Sequence, residues 1–508
     1  MLLMAGFMAM ATFVSKALGL VRDALMGAYF GAGIEADAFM AASKLPTTLF
    51  DLVIGGVISA SFIPVFNEIL TKDNKEKASA FANKFITMII LITLTISCIG
   101  IIFADPLVSF MAPNFGAQTH ELAVSLTSIM FPMIIFTGLA FSFVGILQSF
   151  GEYTIPSIIS LVSNIAIIAY FLLFGKRFGV TGLAVTMVIS WSLQVIVQIP
   201  SLVNLKFRYR PDFKLRDKAI KSAVFLAVPM LISTWIQPLY TLVNARFASH
   251  MEGAYSALEY ANRLYIIMTG VFSFVVTNLI FPKLAKANAG DDREEANSLI
   301  TMSLKAIIMV IAPLMTGIII LSKPLTNIIY GHGALAEDVK IIANALACYA
   351  AGMIFLAINE VLSKTFFSMQ KSVTPMVTSI ISMIFNVILV LSINGLIRND
   401  IVKLTGGLAL AAAGGSIVNA LLNAAMLIKK FPELMKKEDV KTVIKIIIST
   451  LIMAIAVKLL YSCLGVGETL IQSIVSCAVC GVVGVVVYAI MLILLKTEEI
   501  EKIIPKRR

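Results

Sequence analysis

A helix needs about twenty consecutive apolar residues to cross the hydrocarbon of a bilayer, and this sequence supplies that length fourteen times. The runs cover roughly 3–30, 36–67, 84–104, 121–149, 155–175, 180–203, 222–246, 255–282, 296–321, 340–364, 373–397, 404–428, 442–462 and 468–495. In lipid every backbone polar group must be satisfied within the segment, so runs of this length fold as helices. The fold class is therefore an all-α polytopic membrane protein with about 14 transmembrane helices. With 59% of its 508 residues apolar and 14% charged, the chain is not a soluble enzyme. Its first residues, MLLMAGFMAMATF, lack a basic leader and a cleavage site, and read as a retained first span. Several runs exceed the minimum, which predicts tilts or kinks. Pro46, Pro64, Pro132, Pro229, Pro238 and Pro313 interrupt or end spans.

The net charge of +11 lies mostly in connections between spans. With a cytoplasmic N-terminus, the inner connections and the C-terminal tail hold 27 Lys and Arg. The other side holds six: Lys176, Arg177, Lys323, Lys340, Arg398 and Lys403. By the positive-inside rule both termini face the cytoplasm. This placement, without any nucleic-acid motif, makes the charge a topology signal rather than a nucleic-acid surface.

Two inner connections, 205–221 and 429–445, are long and strongly basic. They divide the chain into six helices, six helices and two, giving an N-lobe at 1–205, a C-lobe at 206–430 and a final pair with a tail at 431–508. The DDREE run at 291–295 reads as a solvated inner turn. The first two blocks resemble each other: Lys44-Leu45 lies twenty residues before Pro64, and Arg263-Leu264 nineteen before Pro282. Parallel repeats of this kind place a substrate between two pseudo-symmetric lobes that alternate in access.

Charges inside the spans carry the functional signal. Lys16, Arg22, Asp23, Lys44 and Asp51 fall within or at the ends of the first two spans. A basic side chain at mid-bilayer costs about 2.5–3.5 kcal/mol on insertion scales. The cluster reads either as internal ion pairs with snorkelling ends or as a hydrated site for an anion. Lys16 and Arg22 are about 120° apart on a regular helix, with Gly19 between them as a point where the helix can bend. Glu259 precedes Arg263 by one turn, the order that favours a helical ion pair. Arg246, near an outer helix end, reads as a snorkelling residue. Glu360, beside Asn359, reads as a second buried acid that balances a cavity cation or helps bind a small coupling cation.

Other chemistries find little support. Cys477-x-x-Cys480 lies in a membrane helix without a neighbouring His or acid, so packing is the expected role. The remaining cysteines, Cys98, Cys348 and Cys463, are also in apolar segments. His120, His250 and His332 fall in separate connections, which predicts no metal centre and no His-based catalysis. Gly406-Gly407, Gly414-Gly415 and Gly481-x-x-Gly484 read as close-packing positions. There is no Walker A motif and no catalytic triad, so the chain is expected not to be an enzyme and to need no cofactor.

The run SKALGLVRDALMGAYFGAG, then Asp37-Ala38-Phe39, Lys44-Leu45-Pro46 and SASFIPVF, resembles the N-terminal signature of the MurJ (MviN) family. YANRLY followed by LIFPKLAKA resembles that family's eighth helix. The resemblance implies a lipid II flippase of the multidrug/oligosaccharidyl-lipid/polysaccharide exporter superfamily, with two six-helix lobes around a cationic cavity and a C-terminal helix pair that holds the lipid tail. It implies that Lys16, Arg22 and Arg263 contact the substrate, with Lys44 as field or ion pair. Lys16 stands where the family has an arginine, and Phe50-Asp51 stand where it has another. Lysine keeps the charge but loses bidentate phosphate geometry. Asn244 fills the place of a sodium-binding acid, leaving Glu259, Glu360 and Asn244 for ion coupling or charge balance, by a cation or by the membrane potential. The implied partners are an undecaprenyl-pyrophosphate-linked glycan lipid, the bacterial cytoplasmic membrane and cell-wall synthesis proteins. The alternatives are an exporter of another polyprenyl-linked glycan and a cation-coupled drug antiporter on the same fold.

Overall fold

The computed structural model describes residues 2–54, 58–214, 219–224, 236–289, 293–369, 371, 373–397, 400–431, 434, 436–464 and 469–497. Among them there is no strand; the structure is helical throughout. The chain forms two compact units, Met1–Ser256 and Ala257–Arg508.

The first unit contains α1 (Leu2–Phe30), α2 (Ile34–Val53), a π turn at Ile58–Phe62, α3 (Ile63–Lys72), α4 (Lys75–Ile102) and α5 (Ala104–Met111). These are followed by α6 (Ala117–Met130), α7 (Met133–Ser149), α8 (Thr154–Leu173), α9 (Gly175–Asn204) and α10 (Ile236–Ala248). The second unit holds α11 (Ala254–Ala289) beyond its first turn, α12 (Arg293–Tyr330) and a 3₁₀ turn at Gly333–Asp338. It continues with α13 (Val339–Ala350), α14 (Met353–Ser368), α15 (Val373–Leu396), α16 (Ile401–Ile428), α17 (Lys437–Leu464) and α18 (Leu470–Leu494). By length and composition, eight of these cross a membrane alone: α4, α8, α9, α12, α15, α16, α17 and α18. Two more spans are bent pairs, α6 with α7 and the 3₁₀ turn and α13 with α14. Only part of the seventh span is described, and Pro229 and the C-terminal tail lie outside the described residues, as do 291–292 of the acidic run.

The bends support the repeat. The fourth span bends by 41° between Met130 and Met133, and the tenth, its counterpart in the second half, by 44° between Ala350 and Met353. At the first bend Phe131 lies where a Cβ on Gly100 would be, 2.0 Å from its ring. At the second, a Cβ on Gly352 would meet Ala413 Cα at 2.7 Å, so α16 seats directly on the turn. Packing also repeats: α7 rests on α4 and α9 and α8 on α9, while α14 rests on α12 and α16 and α15 on α16.

The second span is not one helix. α2 ends at Val53, a π turn follows, and α3 begins with Pro64 near its first position. Proline has no N–H and fits the first turn of a helix, so Pro64 is tolerated where α3 continues from the π turn. Phe62 enters the core of the first unit, its ring centre 4.6 Å from Phe85 and 5.7 Å from Phe81. A Cβ on Gly145 would lie 2.9 Å from that ring.

α1 is one helix through Gly19, the point where the sequence allowed a bend. Gly406, Gly407, Gly414 and Gly484 are close-packing positions, each with a neighbouring side chain within 3.1 Å of the place of a Cβ, but Gly481 faces open space. In the second unit α17 and α18 pack on each other and on α12. Cys480 is buried there with Met453 and Val457, in the packing role expected of it.

Candidate functional site

On α1, Arg22 is held from three directions. Its Nε and Nη2 donate to Asp23 Oδ1 at 3.0 and 2.9 Å, and its Nη1 donates to Asn164 Oδ1 of α8 at 3.1 Å. Asn164 in turn donates to the Ser15 carbonyl at 3.0 Å. A guanidinium has five N–H groups, so two of Arg22's remain for a ligand. Lys16, six residues before Arg22, is exposed on α1 and makes no hydrogen bond or ion pair among the described residues. The two cations thus have different states: Arg22 is neutralised and oriented, and Lys16 has no counter-charge among the described residues.

Lys44 and Asp51 are seven residues apart on α2, close to two turns, and so share a face. Lys44 is the charge that acts on the Asp51 carboxylate. Asp51 lines a cavity of about 240 Å³ with Thr47, Phe50, Met133, Phe141 and Trp191. This acid marks a cavity wall that hydropathy could not reveal; the signal in the sequence was a carboxylate between Phe50 and Leu52 in an apolar run.

Asp37, at the start of α2, has a different task. Its two carboxylate oxygens accept from the backbone N–H of Gly253 and of Ser256, each at 2.7 Å, within the first unit. It thereby caps the N-terminal turn of α11, where unpaired N–H groups and the helix dipole favour an anion. Gly253 has φ +76, and a Cβ there would meet the Ala32 carbonyl oxygen at 2.6 Å. Sequence reading had used Asp37 only as part of a signature, because its partners lie more than two hundred residues away.

Arg246 of α10 donates to the Phe110 carbonyl at 3.0 Å and lies over the Phe110 ring, exposed at the helix end. Asn244, one turn in, has a buried Oδ1 without a hydrogen-bond partner among the described residues. An orphaned amide oxygen suits a small cation or an N–H donor.

In the second unit Glu259 and Arg263 lie one turn apart on α11, and each makes a polar or electrostatic interaction. Glu259 is one of the charges bearing on Tyr349, whose ring stacks on Tyr265 at 5.4 Å. Glu360 is exposed, not buried as expected. The polar interior near it is amide instead: Asn423 donates to Asn359 at 2.7 Å and accepts from Thr378 at 2.9 Å, and Asn419 donates to Ser379 at 3.1 Å. Asn386 is buried, with neither amide atom partnered among the described residues. Lys305 forms an ion pair with Asp439 at 2.8 Å, with side chains 11% and 16% exposed, so it is a structural cation.

The sequence profile of the family described as lipid II flippase MurJ matches residues 26–476. The chain belongs to the MurJ family. It is 28% identical over 383 residues to a probable lipid II flippase MurJ of Rickettsia prowazekii, covering 75% of each chain. To the lipid II flippase MurJ of Burkholderia cenocepacia it is 27% identical over 423 residues, covering 81% of this chain and 80% of that one. A solved lipid II flippase MurJ in an inward closed conformation superposes with a TM-score of 0.81 at 25% identity, over 97% of this chain and 99% of that one. An inward-facing multidrug resistance MATE transporter of the MOP superfamily superposes at 0.69 over 82% of this chain and 95% of that one, a likeness of fold alone at 14% identity. The MurJ profile match begins after Arg22, so the roles of Lys16 and Arg22 are read from their own surroundings.

Proposed function

We propose that this chain moves lipid II, an undecaprenyl-pyrophosphate-linked disaccharide-pentapeptide, from the inner to the outer leaflet of the bacterial cytoplasmic membrane. Membership of the MurJ family supports this reading. The observation that carries it is the pair of cations on α1: Lys16 without a partner among the described residues, and Arg22 oriented by Asp23 and Asn164 with two N–H groups to spare. A doubly charged pyrophosphate leaving water needs cations in a low-dielectric setting, where they attract it strongly. Arg263 is assigned to the same substrate and Lys44 to the field around it. No bond is made or broken, so the chain acts as a transporter and not as an enzyme.

Transport follows alternating access, with the bound head group shifting the population between states. An inside-negative potential favours outward movement of uncompensated anionic charge by about 2.3 kcal/mol per charge per 100 mV. The unpartnered Asn244 and Asn386 amides support cation coupling as a second drive, with Glu259 and Glu360 as charge balance. Both termini are cytoplasmic in this reading, and cell-wall synthesis proteins are the expected partners. Depleting the protein in its native cell, in a strain without a redundant flippase, tests it. Lipid II on the outer leaflet should fall; delivery at the normal rate would overturn the proposal.

A further inference from the structure

Lys430 lies just beyond the C-terminal end of α16, and its ammonium is buried without a hydrogen-bond partner among the described residues. Nζ stands 5.2 Å from the centre of the Phe366 ring. A lysine at the end of a membrane helix ordinarily snorkels, with its stem on apolar surface and its head in water. Lys430 does not. Lys371, in the connection between α14 and α15, brings a second ammonium beside it. Burial, together with that like charge, pushes Lys430 down to about 8. The Phe366 face and the C-terminal end of α16 offset part of the charge, but neither is a counter-ion. Asp439, an acid on the following helix, is already occupied by Lys305 and by the Lys436 N–H.

An apolar cavity of about 250 Å³ lies in the same unit, lined by Leu304, Ile308, Ile358, Leu362, Ile428 and Leu434. Leu362 is one turn before Phe366 on α14, and Ile428 is two residues before Lys430. The cavity and the ammonium pair therefore share the same two helix ends. An apolar cavity of about 150 Å³ already admits benzene, so this one holds a short run of methylenes. The basic connection 429–445 continues from this end, the charge pattern of a segment lying against anionic lipid.

We propose that the Lys371–Lys430 pair and this cavity form a binding site for an anionic glycerophospholipid, with its phosphodiester between the two ammonium groups and part of one acyl chain in the cavity. A phosphate accepts from both lysines at once and removes their repulsion. A zwitterionic lipid brings a cation of its own into an already cationic site. A free phosphate leaves the cavity unfilled.

Native mass spectrometry of the purified full-length protein in detergent, titrated with phosphatidylglycerol or phosphatidylcholine, tests the site. Wild type should retain phosphatidylglycerol roughly thirtyfold better than phosphatidylcholine, the scale of two juxtamembrane lysines. Lys371→Gln/Lys430→Gln should lose most of that preference. Lys371→Gln alone, at an exposed position, should lose part of it and serves as the variant least apt to disturb folding. Ala424→Phe, which fills the cavity, should weaken phosphatidylglycerol binding with the lysines intact. Equal retention of the two lipids by wild type would overturn the site, as would an undiminished preference in the double variant. Displacement of the lipid by inorganic pyrophosphate at equal concentration would overturn it too, by showing a site for free anions.

Discussion

Asn164 on α8 and Arg22 on α1 are joined by a 3.1 Å hydrogen bond, and the same asparagine reaches back to the Ser15 carbonyl at 3.0 Å. One neutral side chain thus fixes where a membrane-embedded guanidinium points. Asn164→Ala should lower transport by roughly tenfold, the scale of one hydrogen bond to a charged group, with the protein still inserted and abundant. Complementation of a depleted strain, normalised to membrane abundance, reads this out. Unchanged transport would show that Asp23 alone orients Arg22.

Lys16 has no partner among the described residues, so its charge is available to a ligand and its loss disturbs no ion pair. Lys16→Ala and Arg263→Ala should each abolish complementation without loss of protein, while Lys16→Arg should retain it. Full activity in the Lys16→Ala/Arg263→Ala double variant would remove these residues from the substrate site.

Asp37 satisfies two buried backbone N–H groups at the head of α11. Asp37→Ala strands both, at about 1–3 kcal/mol each, and should lower the thermal midpoint in detergent by many degrees. Asp37→Asn keeps one oxygen to accept and should fall between. A midpoint for Asp37→Ala equal to wild type would refute the capping role.

Topology is open to direct labelling. In a background without Cys98 and Cys463, both exposed, a cysteine at position 332 should react with an impermeant reagent on intact cells. A cysteine at position 213 should react only after permeabilisation. The opposite pattern would place the termini outside.

Lys430 sets a pH dependence of known sign. Its pKa in the fold is lowered from 10.5 to about 8, so between those values the unfolded chain binds more protons than the folded one. The penalty of burying the charge is present below about pH 8, and stability rises as pH climbs from there toward 10.5. In delipidated protein, Lys430→Gln should raise the thermal midpoint at neutral pH and flatten its rise across that window. An identical profile in both proteins would count against a buried charge at this position.

Span number and the repeat were legible because hydrophobic length and charge placement are local properties. The bend in the fourth span was legible in Pro132. The bend in the tenth was not, since no proline marks it; Gly352 there answers to the approach of Ala413, sixty-one residues further on. Cations that the sequence treated alike were sorted only by their neighbours. Lys305 found Asp439, Arg22 found Asp23 and Asn164, and Lys16 found none among the described residues.

The sequence by itself determined a helical membrane protein, its family and the positions of its costly charges, because burial of apolar residues and the expense of intramembrane ions act wherever those residues occur. Tertiary structure alone decided that Asp37 caps a helix and Asp51 lines a cavity. It also decided that Glu360 is exposed and that Lys430 is stranded over Phe366. Each of these depends on which group from a distant part of the chain lies within about 3–5 Å, and at that range hydrogen bonds and charges are won or lost.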